Sequence, residues 1–429
     1  MLEAILAARV VFWKNLTVRD PRSPSRHPWR WCIFVIADIL VSKIPISRKK
    51  SGVVVILVNR LGDAIVGRPL VLAMKEQLVK NNEPFMVIGD KSWKVLSNNI
   101  YDNVPVEFID EERFRMNFLY RLKITIWLRL QNFRTAICFM HHRLEMRDDV
   151  LVTVSGADER IVSNLPFLSL RWYPWLFNLY LSKMSKIIPT LPDIDHVKPN
   201  SNPFCNYPRK VPHAVERFCY FWKQLEQHSE VKTTCINIPN EFRLFNKNIV
   251  ILNPGASGHW RIWPLNEWVN LAYQIAELGY TICIVGGPAE ERLVADFESL
   301  LNLHVSASMH SSQILLLINQ ISFSYLIGMF GSAMCYIGPD TGSSHLAYWL
   351  GTPTITLLLH NDANEEGDRF GDFFPYPNGF LPTPYRCVCA PKRIFHMIDG
   401  SEGIRTQVFS AFLELMGNPS NLLVNNKGN

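Results

Sequence analysis

Gly52-Val53-Val54-Val55-Ile56-Leu57-Val58, followed at once by Asn59-Arg60-Leu61-Gly62-Asp63, is the stretch that decides the fold. An unbroken run of β-branched and aliphatic residues is what a parallel strand buried on both faces carries. After the glycine turn, the apolar positions from Ala64 to Val79 recur at helical spacing. Strand, glycine turn and helix in this order form the opening unit of an open α/β sheet.

Outward from this unit, Phe85 to Ile88, Val104 to Ile109 and Thr135 to Met140 read as further strands of a first sheet. The second half repeats the logic. Strands are expected at 249–252, 280–285, 334–338 and 354–359, and helices at 265–279, 289–301, 312–331 and 343–350. This alternation specifies a parallel sheet with helices on both faces. Pro192, Pro199, Pro203, Pro208 and Pro212 mark 191–212 as irregular connecting chain, with the hinge nearby. The division expected is an extension over 1–50, a first domain over 51–240 and a second over 241–429. Residues 160–190 are unusually aromatic and read either as a helix hairpin in the core or as a lipid-facing acceptor surface.

A chain of 429 residues exceeds one ordinary core, and its 48% hydrophobic, 19% charged composition excludes a disordered or low-complexity protein. The net charge of +6 is concentrated at the start, where residues 1–50 hold ten Lys/Arg against Glu3, Asp20 and Asp38. A nucleic-acid partner asks for basic faces on the folded domains, so none is expected. The basic extension reads as a solvated arm or as an attraction to anionic lipid or lipopolysaccharide. The apolar stretch Trp31 to Val41 contains Asp38 and is about half the ~20 residues that cross a bilayer. With its flanking Trp29, Arg26, Arg30, Lys43, Arg48, Lys49 and Lys50 it suits the membrane interface instead. Nine cysteines, mostly single within apolar segments, point to a reducing compartment. Cys387 and Cys389 lack a second pair at zinc-ribbon spacing, so no metal site is expected.

Chemistry is to be sought where turns follow strand ends. Asn253-Pro254-Gly255-Ala256-Ser257-Gly258, running on to Arg261-Ile262-Trp263-Pro264, offers close backbone approach at Gly255 and Gly258, a hydroxyl at Ser257 and a fork of donors at Arg261 suited to phosphate. Gly286-Gly287-Pro288-Ala289-Glu290 opens a helix with a carboxylate that either meets ribose hydroxyls or serves the helix dipole. In Gly338-Pro339-Asp340-Thr341-Gly342-Ser343-Ser344-His345, Asp340 reads as an N-cap and the following residues expose first-turn N–H groups to a diphosphate. Asp63 fits capping too, and is the candidate general base if ionised within reach of an acceptor hydroxyl.

Together these motifs resemble the heptosyltransferase family (glycosyltransferase family 9). Arg60-Leu61-Gly62-Asp63 with Pro69-Leu70 is similar to its R-x-x-x-L-G-D-x-x-x-x-x-P-L pattern, and Asn253 to Ser257 with Arg261 to Pro264 to its P-G-A-s and K-x-W-P element. Gly286 to Glu290 resembles its G-G-p-x-E element, and Asp340 to Ala347 its D-[ST]-G-x-x-H-[LA]-A element, finished by Gly351-Thr352-Pro353. All four occur in the family's order. The resemblance covers about 52–75 and 248–400.

The resemblance implies a GT-B fold, two Rossmann-like doubly wound domains facing a central cleft. The implied reaction is inverting, metal-independent sugar transfer, commonly from ADP-heptose to the lipopolysaccharide core, with the nucleotide-sugar a substrate and no cofactor. It implies Asp63 as base, Ser257 and Arg261 on the diphosphate, Glu290 on the nucleoside, and Asp340, Thr341, Gly342 and His345 around donor sugar and phosphate. Gly62, Gly255, Ala256, Gly287 and Ser343 support them. Partners expected are the nucleotide-sugar, a lipopolysaccharide or lipid-linked glycan acceptor, and the cytoplasmic face of the inner membrane. Arg261 stands where the family commonly has Lys, and short members lack the 1–50 extension. Other readings are another nucleotide-hexose donor for O-antigen or capsule, a silent membrane-attached assembly partner, or a nucleotide-sugar epimerase.

Overall fold

The computed structural model describes residues 28–46, 49–141, 143–164, 179–180, 182–189, 191, 213–225, 231–237, 248–256, 261–305, 313–360, 381–391 and 398–417. The basic residues before 28, most of the aromatic segment and the proline-rich stretch after Leu191 fall outside these. By contacts the chain forms two compact units. The first takes in Met1–Arg60, Leu70–Leu191 and Arg217–Val231; the second takes in Leu61–Pro69, Pro192–Glu216 and Lys232–Asn429.

In the first unit, β1 (Val53–Leu57), β2 (Phe85–Asp90), β3 (Val106–Ile109), β4 (Thr135–Cys138), β5 (Glu159–Ser163) and β6 (Lys186–Ile188) form one sheet in the order β3-β2-β1-β4-β5-β6, all pairs parallel. Every residue of β1 is buried, as its uninterrupted apolar run requires, with β2 on one side and β4 on the other. The second unit holds β7 (Ile249–Leu252), β8 (Thr281–Ile284), β9 (Ile314–Leu316), β10 (Cys335–Pro339), β11 (Thr354–His360) and β12 (Tyr385–Pro391) in the order β12-β11-β10-β7-β8-β9. Counted from its own first strand, this is the same 3-2-1-4-5-6 winding. The α/β class with two Rossmann-like parallel sheets is borne out.

The helix after β1 is α2 (Leu61–Lys80), preceded in the chain by α1 (Pro28–Ser42). Next come α3 (Phe118–Leu130), α4 (Ala214–Gln224), α5 (Leu265–Ala276), α6 (Val294–Val305), α7 (Phe323–Ser332), α8 (Gly342–Trp349) and α9 (Ile398–Gly417). Gly62 and Asp63 stand in the first turn of α2, not in a turn ahead of it. The expected helix over 312–331 is corrected: Ile314 to Leu316 pair with Ile282 to Ile284 as β9, and the helix begins at Phe323 behind a Ser322 side-chain cap. A short aliphatic run serves either period, and the open edge of β8 decides it.

Within the extension, the helix Pro28–Ser42 joins the fold. Trp31, Phe34, Val35 and Val41 of α1 are buried, and Phe34 packs on Phe118 with ring centroids 5.7 Å apart. Asp38, the residue that interrupts the apolar stretch, receives Arg121 of α3 at 2.6 Å, both side chains 2% exposed. Arg121 also donates to Met146 O at 2.9 Å, so the charge is spent on several acceptors in the interior.

Candidate active site

The carboxyl ends of β7 and β10 lie side by side where the strand order of the second unit reverses, the place at which open α/β sheets bind ligands. Asn253 leaves β7 with its backbone still bonded to Ile337 O, and its side-chain Oδ1 accepts Gly255 N–H at 3.1 Å. That turn must carry glycine: a Cβ on Gly255 would lie 2.5 Å from Glu290 Cγ. Glu290 in turn accepts Gly287 N–H at 2.8 Å, the carboxylate half of a capping box over the 3-10 turn Pro288–Leu293, and its own N–H donates to Gly287 O at 3.0 Å. Gly255, Gly287 and Glu290 therefore meet, and one Glu290 oxygen is occupied by the cap.

Arg261 is placed by its own motif. Trp263, two residues on, is fully buried and packs edge-to-face on Trp268 of α5 at 5.1 Å, while Pro264 caps the start of that helix. The aromatic anchor leaves Arg261 to reach across to β10, where Nη1 donates to Asp340 O at 2.8 Å and lies 3.9 Å from Asp340 Oδ2. Ser257 lies outside the described residues; Ala256 is partly buried.

Asp340 is not the N-cap that the sequence suggested. Its backbone N–H donates to Leu357 O and extends the β10–β11 ladder, so the cap position of α8 falls to Thr341, which is extended at φ −147° and makes no side-chain cap bond. The Asp340 carboxyl is freed to face Arg261. Burial pushes it up to about 6; Arg261 pulls it down, and Asp63 pushes it further up. Asp63 is thus close enough for the two carboxylates to feel each other.

The starts of α2 and α8 approach closely, and both approaches need glycine. A Cβ on Gly342 would lie 3.1 Å from Leu61 Cβ, and one on Gly62 would lie 2.8 Å from His345 Cδ2. His345 is 4% exposed, and burial, with His213 and Arg261 nearby, lowers it to about 3, so its imidazole is neutral. Ser343 and Gly342 supply first-turn N–H groups, which have no carbonyl one turn back to bond to. The region thus brings together Gly62, Asp63, Arg261, Asp340, Thr341, Gly342, Ser343 and His345.

Sequence reasoning missed three contributors. Tyr336 on β10 is buried among the side chains of Ser344, Thr341, Asn253 and Ser343, and burial raises its phenol to about 12. His213 is fully buried and acts on His345. Arg68 of α2, 2% exposed, donates to Thr234 O at 2.8 Å and to Thr234 Oγ1 at 3.0 Å. His213 sits far from the motifs in the chain, and Arg68 fills an unspecified position between Asp63 and Pro69, so no pattern signals either. Among the described residues, no three His, Cys, Asp or Glu side chains form a group suited to a metal.

Residues 204–365 match the model of glycosyltransferase family 9 (heptosyltransferase). This bears out the family resemblance and the reading of the chain as a glycosyltransferase. No curated protein sequence matches the chain. Similar solved structures include a glycosyl transferase family 9 protein from Veillonella parvula DSM 2008, at 16% identity over 86% of this chain and 98% of that one, TM-score 0.55. The Escherichia coli ADP-heptose lps heptosyltransferase II aligns at 12% identity over 85% and 99%, TM-score 0.57. The Escherichia coli heptosyltransferase WaaC with ADP aligns at 17% identity over 85% and 98%, TM-score 0.55.

Proposed function

From this family match we propose that the chain moves a sugar from a nucleoside-diphosphate donor, with ADP-heptose the favoured donor, onto a lipopolysaccharide or related cell-surface glycan, with inversion and without a metal ion. One observation carries the reading: a guanidinium, a helix N-terminus and two carboxylates gather where β7 and β10 end, around Arg261, Thr341 to Ser343, Asp340 and Asp63. A departing nucleoside diphosphate develops negative charge, and fixed N–H donors at a helix start with one guanidinium stabilise it without reorganising. The likeness to an Escherichia coli heptosyltransferase solved with ADP favours adenine as the base.

In this reading Arg261 and the α8 amides, with Ser257, hold the diphosphate, and Asp63 takes the proton of the acceptor hydroxyl as its oxygen attacks the anomeric carbon from the face opposite the leaving group. Asp340 orients Arg261 and lies against the donor sugar. Neutral His345 offers a donor or acceptor without adding charge. Glu290, partly committed to Gly287, presents its remaining oxygen to the nucleoside.

The test is Asp63→Asn. It should keep donor affinity, read by calorimetry with ADP, and lose on the order of 10²- to 10⁴-fold in transfer rate, the range of general-base catalysis. Transfer at near wild-type rate with intact binding would remove Asp63 from the role of base.

A further inference from the structure

The helix α1 presents two faces of opposite use. Trp31, Phe34, Val35, Asp38 and Val41 turn inward, whereas Ile33, Ile36 and Leu40 are 45%, 57% and 63% exposed. These three recur at one helical face and leave aliphatic surface exposed to water. No helix among the described residues is long and apolar enough to cross a membrane.

The α1 and α3 helices run in parallel, because Phe34 meets Phe118, Asp38 meets Arg121, and Ile44 O just past α1 accepts Arg129 Nε at 3.0 Å. The register brings the end of the apolar stripe beside basic side chains. Lys43 and Lys49 are exposed there, and Arg129 lies near enough to Arg160 for the second charge to disfavour the first. Arg160 Nε is buried and makes no hydrogen bond. Asp158 is the acid of this cluster, held by Lys50 at 2.5 Å. The preceding chain adds Arg9, Lys14, Arg19, Arg22, Arg26 and Arg30 against Glu3 and Asp20. An apolar face running into excess positive charge complements one kind of surface: hydrocarbon beneath a layer of anionic phosphate.

We infer that the outer face of α1, Ile33, Ile36 and Leu40 with Lys43 and Lys49 at its end, docks the protein on an anionic lipid bilayer. The helix lies in the plane of the interface, its inner face still packed on the first unit. Docking of this kind stands apart from the donor reading, and either can fail alone.

Co-sedimentation of the full chain with phosphatidylcholine vesicles, with and without phosphatidylglycerol, reads it directly. The wild type should bind the anionic vesicles, be released by high salt, and bind neutral vesicles weakly. Ile36→Ser/Leu40→Ser should weaken anionic binding about tenfold, and Lys43→Glu/Lys49→Glu roughly thirtyfold or more, with unfolding midpoints kept near wild type because these side chains face solvent. Equal binding to both vesicle types, or anionic binding untouched by both double variants, overturns the proposal. So does a dimer in sedimentation velocity that Ile36→Ser/Leu40→Ser dissociates, since the face would then belong to a second copy of the chain.

Discussion

The carboxyl ends of β1 and β4 in the first unit and of β7 and β10 in the second hold the same position in the same winding, and the chain fills them in opposite ways. In the first unit the position is lined by charges that the protein pairs with one another. Arg147 bonds Asp148 at 2.8 Å and Asn59 Oδ1 at 3.2 Å, and Arg143 bonds Asp149 at 2.5 Å with both side chains fully buried. In the second unit the corresponding place is lined by glycines, helix-start amides and Arg261, whose side chain is 24% exposed. Topology supplies the crevice in both sheets. Which residues line it decides whether it serves stability or a ligand.

Arginines of the two units should therefore fail differently when removed. The largest effect on stability is expected at Arg121 in the first unit. Arg121→Ala leaves Asp38 buried without its counter-charge, with only the Tyr180 hydroxyl at 3.5 Å beside it, and should cost about 3–5 kcal/mol in urea denaturation. A loss below about 1 kcal/mol would mean that α1 is not held by this pair. Arg261→Ala, by contrast, should lower kcat/KM by about 2–4 kcal/mol in transition-state terms while leaving the urea midpoint almost unchanged. An Arg261 variant that unfolds as easily as Arg121→Ala would erase the contrast.

A smaller effect separates the carboxylates. Asp340 is raised from 3.8 to about 6, so its protonated form is favoured in the folded state. Its contribution to stability is complete below about pH 4 and is lost as pH rises through about 6. His345 runs the other way: lowered from 6.5 to about 3, it favours the fold above about pH 6.5 and loses that contribution as pH falls. Asp340→Asn should remove only the first of these. Relative to wild type it should gain roughly 1–3 kcal/mol between pH 4 and 7, followed by thermal melts across that range. A difference independent of pH would place the Asp340 carboxyl in water.

Much of this was legible in the chain. The run Val53 to Val58 and the segment Ile249 to Leu252 announce buried parallel strands because both faces need apolar residues, and the turns that follow them carry the site motifs. β5 and the edge strand β6 were not recognised: Glu159-Arg160-Ile161-Val162-Ser163 and Lys186-Ile187-Ile188 are short and mixed, each opening on charged, exposed residues before its buried end. Asp340 was misassigned as a cap because a carboxylate before Thr-Gly-Ser fits that pattern, and only the ladder bond to Leu357 moves the cap one residue on. Pairs such as Asp38 with Arg121, 83 residues apart, leave no local trace. Nor does the sequence distinguish Trp263, a core anchor, from the Arg261 that it positions.

Thermal shift of the wild-type chain and of Arg261→Ala with ADP, UDP, GDP and dTDP tests the central claim most directly. The account predicts that ADP raises the Tm of the wild type more than the other three diphosphates do, and that Arg261→Ala loses most of that rise. No shift from any of the four in the wild type, or an ADP shift of equal size in Arg261→Ala, would contradict a diphosphate site at the ends of β7 and β10.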